Sequence, residues 1–410
     1  MRLKLVFLLT MAVAQWGKAQ VPFEVKVVNW NIEWLGSRTN GPSNKALQEQ
    51  NAITILRTLN ADLFALCEIV DTATMRRIVT ALGTDYTFSI SDYCSLAGSP
   101  LDADWAVGQK LCFVYRRSVF SNVRIRGMLR NSGTAFNNFA SGRFPYLLNA
   151  NVRKGNRVAN MNFILIHAKS GATPADYARR RDACIELKDT MDAQMRTTPT
   201  LLVGDYNDDL DRTIVQNFTT TLSSYDYLVR DSVGPNGYKA VTLPASFAGE
   251  SSTISFPDVI DHQVYNGRAA AWYLPNTARI ARDVTAQIPN YNTRNTSDHF
   301  PIVSSFELQN ADTVAVNAMP GTPPVTSGTP QWQVLPTAAT SFVQINGSNQ
   351  ALLTQIRLVN SSGVTVQTWE RFWPAFVALN LELSPSLPNG IYWLTITNSQ
   401  STQVQKILKQ

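Results

Sequence analysis

From Val25 to about Leu308 the chain alternates short runs of β-branched and aromatic residues with a few amphipathic helical stretches, a rhythm that restricts its fold more than any other feature. Strands are expected at Val25–Trp30, Leu63–Cys67, Leu111–Tyr115, Tyr146–Val152, Asn162–His167, Thr200–Val203, Val259–Tyr265 and Ile302–Phe306. Two helices stand out, roughly Asn44–Leu59 and Pro174–Met195. In the second, Thr173 suits the N-cap, Pro174 the first helical position and Asp176 the first turn, and Tyr177, Cys184, Leu187, Met191 and Met195 form one apolar stripe. Many strands served by few helices suggest an α/β (α+β) protein with helices packed outside two stacked sheets, not a doubly wound single sheet.

Both ends break the rhythm. Arg2 and Lys4 precede the apolar run Leu5 to Ala14, and Gly17-Lys18-Ala19 offers small residues for cleavage, so residues 1–19 read as a signal peptide. The run is about half of the ~20 residues a membrane span requires, and no later stretch qualifies. A soluble mature protein without an integral membrane segment is therefore expected, and a monomer. Residues 310–333 are rich in Pro, Gly, Thr and Ala and read as a linker. Within residues 334–410, Phe342–Ile345, Gln355–Val359, Val364–Trp369, Phe376–Leu381, Ile391–Thr397 and Val404–Leu408 alternate like strands, which suggests a small β-sandwich. Residues 20–309 are left as the larger domain.

The net charge of +6 invites a polyanionic partner until it is divided by segment. Residues 20–310 hold 29 Lys/Arg against 27 acids, so bulk charge makes no case for nucleic acid. Four cysteines allow three pairings. Cys94 and Cys112 flank a polar loop and could bridge, whereas Cys67 and Cys184 read as core thiols. No CxxC or His/Cys cluster suggests zinc.

The informative pattern is polar. Asn31-Ile32-Glu33, Glu68, His167, Gly204-Asp205-Tyr206-Asn207, Asp261-His262 and Ser297-Asp298-His299 all end or adjoin apolar strand candidates, where a sheet can present them at one rim. Phosphodiester hydrolysis needs a nucleophilic water, stabilised charge on phosphorus and help for the departing oxygen. Glu33, Glu68 and Asp298 are hard carboxylates suited to Mg²⁺ or Mn²⁺. A carboxylate on a histidine's far nitrogen fixes its tautomer, so His299 with Asp261 and His167 with Glu68 are the expected dyads. Taken singly, each residue has a plainer reading as a solvated surface group, a turn or a hydrogen-bonded core residue. His262, the third histidine, is assigned to the core or the surface.

Taken together, VVNWNIEWLG, LFALCEIVD, SGRFPYLL, ILIHAKSG, LLVGDYNDD, DVIDHQVY and TSDHFPIVSSF, over residues 23–308, resemble the endonuclease/exonuclease/phosphatase superfamily in its deoxyribonuclease-like branch. The resemblance implies a four-layer α/β/β/α sandwich with the active site along one rim. It makes Asn31 a site-orienting group that contacts substrate, and makes Glu33, Glu68 and Asp298 metal-linked, with Mg²⁺ or Mn²⁺ as cofactor and Ca²⁺ compatible with a structural role. It assigns Asp205 and Asn207 to the nucleophilic water and the phosphate, and His299 paired with Asp261 to the motif histidine. His167 stands where the deoxyribonuclease branch has a second histidine. Arg143 resembles that branch's phosphate-contacting arginine, with a surface salt-bridge partner as the plainer reading. Glu33 departs from that branch, which can carry Arg there, so metal stoichiometry stays open.

The tail carries a second resemblance. Leu387-Pro388-Asn389-Gly390-Ile391-Tyr392-Trp393-Leu394 with Val404-Gln405-Lys406-Ile407-Leu408-Lys409 is similar to the type A C-terminal sorting domain of the Bacteroidetes type IX secretion system, the plainer reading being an ordinary surface-binding β-sandwich. It implies the type IX machinery as partner and an extracellular or cell-surface location. The leading expectation is a secreted nuclease that hydrolyses DNA, with action on RNA left open. The alternatives are a phospholipid or sphingomyelin-type phosphodiesterase of the same fold, and a catalytically inactive surface-binding protein.

Overall fold

Alternation along the first strand sets the architecture. In β1 (Glu24–Leu35), Val25 and Val27 turn to one face, Val28, Trp30 and Ile32 to the other, and all are fully buried. A strand buried on both faces needs a layer on each side. The computed structural model describes residues 23–232, 237–289, 291–310, 333–335, 338–339, 341–346, 352–360, 364–373, 379–397 and 402–410. The expected signal peptide and nearly all of the expected linker lie outside these residues.

The first sheet contains β1, β2 (Leu63–Ile69), β3 (Tyr86–Ile90), β4 (Lys110–Arg116), β11 (Arg279–Ile280) and β12 (Ile302–Glu307), in the order β11-β12-β1-β2-β4-β3. The second contains β5 (Phe120–Gly127), β6 (Tyr146–Lys154), β7 (Arg157–His167), β8 (Thr200–Asp205), β9 (Tyr238–Ala240) and β10 (Asp261–Asn266), in the order β5-β6-β7-β8-β10-β9. Each sheet holds one parallel pair, β1 with β2 and β7 with β8, among antiparallel neighbours. Parallel strands present their C-terminal ends together, and antiparallel partners bring their N-terminal ends to the same place.

Helices α1 (Lys45–Leu59) and α2 (Thr72–Leu82) cover the first sheet, burying Ala52, Ile55, Leu56, Met75, Ile78 and Val79 against Trp30, Phe64 and Leu66. A second core joins Val25, Leu63, Ala65 and Phe113 to Phe163, Leu165 and Val203, and continues to Cys184, Leu187 and Met191 on the helix Pro174–Gln194. The order is helix, sheet, sheet, helix: the four-layer sandwich. Thr173 caps the long helix in a reciprocal capping box with Asp176, as the residues suggest. Its buried face also takes in two charged residues, Lys188 and Arg180, the second fully enclosed.

The four cysteines are free and buried. The Cys94–Cys112 bridge does not form, because Cys112 turns from β4 into the α1/α2 layer while Cys94 packs with Ala97 and Trp105 in a loop. In the tail, Gln333–Leu335, Phe342–Asn346 and Leu379–Glu382 form one sheet, and Ala338–Ala339, Leu352–Val359, Thr365–Trp373, Gly390–Thr397 and Thr402–Lys409 another. Val343, Ile345, Ile356, Leu358, Leu394 and Ile407 pack between them. Residues 376–378 of the expected Phe376–Leu381 strand lie outside the described residues. Among the described residues no helix is long and apolar enough to cross a membrane.

Candidate active site

The rim is made where β1 and β2 stop pairing regularly. Between the partners Asn31–Cys67 and Leu35–Ile69, β1 advances four residues and β2 two. The mismatch is absorbed by left-handed backbone at Glu33 (φ 34°), Trp34 (φ 53°) and Glu68 (φ 64°). Such conformations cost a non-glycine residue about 1–3 kcal/mol each and persist where surrounding contacts enforce them. Here the Asn31 carbonyl oxygen of the side chain accepts from Glu33 N at 3.0 Å, and Glu68 Oε2 accepts from Trp34 N at 2.9 Å.

Asn31 also joins the sheets. Its Nδ2 donates to Glu68 Oε1 and to Asp205 Oδ2, each at 3.0 Å. Asn29, one pleat earlier on the same face, donates to Gly204 O at 3.2 Å and accepts from Gln263 at 2.8 Å. Gly204, at φ 135°, admits no side chain, since a Cβ would sit 2.0 Å from Ile166 O. This close approach of β8 to β7 sets Asp205 beside His167. Asp205 Oδ1 accepts from Asn207 N at 2.9 Å, and Asn207, at φ 52°, donates through Nδ2 to Ala168 O at 3.2 Å.

From β10 and the approach to β12 come Asp261 and His299. His299 Nδ1 lies 2.7 Å from Asp261 Oδ2, which also accepts from Ser252 Oγ at 2.8 Å. The other nitrogen, Nε2, faces Asp205 Oδ2 at 3.9 Å and Asp298 Oδ1 at 3.8 Å. The loop is pinned by Ser297 Oγ, which donates to Asn31 O at 2.7 Å, and by Trp30 Nε1, which donates to His299 O at 3.0 Å.

Burial and charge set the protonation states. Burial alone would lower the pKa of His299, but Asp261, with Asp205 and Asp298 beyond it, raises it well above the ordinary value. His167 shifts the other way, driven well below by burial, Arg143 and His299. Burial, followed by Asp298 and Glu68, pushes Glu33 up to about 8. Burial also raises Glu68, and raises Asp205 to about 7. Crowded carboxylates that resist ionisation are what a divalent cation relieves.

Asp205, Asp261 and His299 bring donor atoms within 4.8 Å of one another, yet His299 Nδ1 and Asp261 Oδ2 are already spent on each other. Glu33 Oε2 is buried without a hydrogen-bond partner, and Glu33, Glu68 and Asp298 act on one another electrostatically. This all-oxygen set fits Mg²⁺ or Mn²⁺ better than the set containing the histidine.

Two sequence expectations change. The His167–Glu68 dyad does not form as expected: Nε2 stands 3.6 Å from Glu68 and 3.5 Å from Asp205, too far for a hydrogen bond to either, and Nδ1 is buried without a partner. Arg143 is no surface residue, being 5% exposed, with Nη1 donating to Gln109 Oε1 at 2.7 Å and Nη2 to Ala168 O at 3.1 Å. Arg180, which the sequence does not single out, is enclosed between Lys169 O, Gly171 O and Asp208, so it ties the loops after β7 and β8. Ser252 and Asn29 carry no role in the sequence, and Ser297 figures there only as part of the Ser297-Asp298-His299 run, because nothing in a lone Ser or Asn distinguishes a positioning role. His262 is a core residue, held by Thr242 Oγ1 at 2.9 Å and Val259 O at 2.8 Å.

The chain matches the model of the Endonuclease/Exonuclease/phosphatase family over residues 28–299, and that of the Secretion system C-terminal sorting domain over residues 333–410. A comparison with curated proteins finds no match. Among solved structures, an endonuclease/exonuclease/phosphatase from Beutenbergia cavernae is similar, with 13% identity over 94% of this chain and 100% of the other and a TM-score of 0.47. The human Nocturnin catalytic domain shows 13% identity over 70% and 95%, with a TM-score of 0.47. A mannosyl-6-phosphatase from Bacteroides thetaiotaomicron shows 16% identity over 68% and 98%, with a TM-score of 0.42. At these scores the neighbours carry no argument about function, and the assignment rests on the family match and the strands themselves.

Proposed function

Since the chain belongs to the endonuclease/exonuclease/phosphatase family, a family of hydrolases, we propose that it is a metal-dependent phosphodiesterase whose first substrate is DNA, with RNA left open, and that it acts as a monomer. Its C-terminal sorting domain indicates a secreted or cell-surface protein. The observation that supports the chemistry is the opposed pair of buried histidines: His299, held charged by Asp261, and His167, kept neutral, on either side of Asp205.

Asp205 and Asn207 hold the attacking water, and His167 takes its proton. The water oxygen bonds to phosphorus as the bond to the departing oxygen breaks, and His299 gives that oxygen its proton. Asn207 and Arg143 bind the phosphate; Asn31, expected to contact it, has both amide hydrogens committed to Glu68 and Asp205 and orients those two carboxylates instead. Glu33, Glu68 and Asp298 are the residues that would hold Mg²⁺ or Mn²⁺, whose contribution is Lewis acidity toward a phosphoryl oxygen. The test is nicking of supercoiled plasmid by the full chain. Metal-dependent cleavage that chelator and His299→Ala abolish is expected, and absence of cleavage by folded, metal-supplied protein removes DNA as the substrate.

A second substrate, a phospholipid or sphingomyelin-type head group, is favoured by one observation: large apolar side chains stand exposed on the loops around this site.

A further inference from the structure

The exposed apolar side chains of residues 23–310 are distributed with complete asymmetry. The catalytic residues lie at the C-terminal ends of β1, β2, β7 and β8 and the N-terminal approaches to β10 and β12. By strand pairing, the same end carries the loops β3–β4, β5–β6 and β9–β10 and the start of the loop after β8, to which Ser223 Oγ is tied by its bond to Asp209 O. Among the described residues of this region, every large hydrophobic side chain that is exposed belongs to one of those loops, and the opposite end has none.

Six of the eight gather on two sides of the centre. Leu96, Val107 and Phe136 stand beside the approach to Arg143, where Leu96 N donates to Ser141 O at 2.8 Å. Phe247, Ile254 and Phe256 stand beside the histidine loop, where Ile254 N donates to Asp298 O at 2.8 Å. Their exposure is large, 68% for Leu96 and 72% for Phe247. Single exposed apolar residues need no explanation, but confinement of all of them to the catalytic end does.

A track for a long polyanion would pair aromatic rings with a basic groove. The segments that carry these six side chains, 91–109, 128–145 and 241–260, instead hold two Lys/Arg against five acids, and half of the six are aliphatic, with no ring to stack on a base. An uncharged apolar phase asks for neither basic groups nor aromatic rings. We propose that the catalytic end seats on a zwitterionic phospholipid surface, Phe136 on one flank and Phe247 and Phe256 on the other entering the acyl boundary, so that the centre meets phosphodiesters presented at that surface. This deepens the second reading of the same site and depends on it for catalysis, not for docking.

The full chain is mixed with phosphatidylcholine vesicles and sedimented, beside a Phe136→Ser/Phe247→Ser/Phe256→Ser variant and the single variant Phe247→Ser. The wild type should sediment with the vesicles, and the triple variant should bind at least about tenfold more weakly, because each phenyl ring withdrawn from the acyl phase forfeits its transfer free energy. Hydrolysis of soluble bis(p-nitrophenyl) phosphate should stay unchanged in both variants, which also reports their folding. Wild type that remains in the supernatant, or equal sedimentation of all three proteins, overturns the proposal. So does loss of single-stranded oligothymidylate binding in the triple variant without vesicle binding in the wild type, which would make the rim a base-stacking platform. Vesicle binding without turnover of any diester supports the docking surface and sinks the catalytic reading.

Discussion

Asp261 and His262 are adjacent in β10, both fully buried, and point to opposite faces of the sheet. Asp261, with Gln263 and Tyr265, faces the first sheet, where it meets His299 at 2.7 Å. His262 points into the interior, toward Thr242 and the carbonyls of Val259 and Asp208. Two enclosed histidines result with opposite character. Burial brings His262 down to about 4, whereas Asp261 reverses the effect of burial at His299 and holds it well above the ordinary value. Burial by itself makes a histidine neutral; a carboxylate within hydrogen-bond reach is what makes it a charged reagent. The rim therefore holds groups that titrate for chemistry, and the interior groups whose titration only costs stability.

The largest expected effect separates the two faces by activity. Asp261→Asn should lower kcat by about 10²–10⁴-fold through His299, measured on a soluble diester at saturating metal. The adjacent substitution His262→Gln should leave kcat close to wild type, and an equal loss in both would break the distinction. Next comes stability against pH. Over pH 6.5 to about 4 the unfolded chain takes up a proton at residue 262 that the folded chain refuses, so the stability present above pH 6.5 is lost as pH falls. Urea unfolding should show a decline of about 3 kcal/mol from this group across that window, absent in His262→Gln. A smaller effect is expected from the capping box, where Thr173→Ala should cost about 1 kcal/mol of unfolding free energy without touching kcat. The smallest is none. Because Cys67, Cys94, Cys112 and Cys184 are free, reductant should leave Tm unchanged, and thiol titration in denaturant without reductant should count four.

The parts of the fold legible in sequence were those whose side chains alternate or step with a strong apolar signal. β1, β2, β7 and β8 are such strands, although β1 runs through Leu35 and not only to Trp30. Its extension is a bulge with positive φ at Glu33 and Trp34, a conformation those residue types disfavour and only the fold enforces. Edge strand β5 was missed because Ser121, Asn122, Arg124 and Arg126 give it a polar outer face. Helix α2 was missed although Met75, Ile78, Val79 and Leu82 fall at helical spacing behind the capping Asp71, because its Thr and Arg content masks that stripe. At the candidate site, the residues that end apolar strands could be named from sequence because a strand end exposes its last side chain at a rim. Their partners could not: Ser297 and Asn29 adjoin the motifs but reach across the fold to Asn31, Gly204 and Gln263, Ser252 lies on a separate loop, and whether a histidine faces a carboxylate or a carbonyl depends on a single step along the strand.

The most direct test of the opposed-histidine centre is hydrolysis of bis(p-nitrophenyl) phosphate, a diester that needs neither a nucleic-acid grip nor a surface, by wild type and His299→Ala with Mn²⁺ and with chelator. Metal-dependent turnover in the wild type that falls at least about a hundredfold in the variant is the predicted result. Turnover indifferent to chelator, or equal in the two folded proteins, would contradict it.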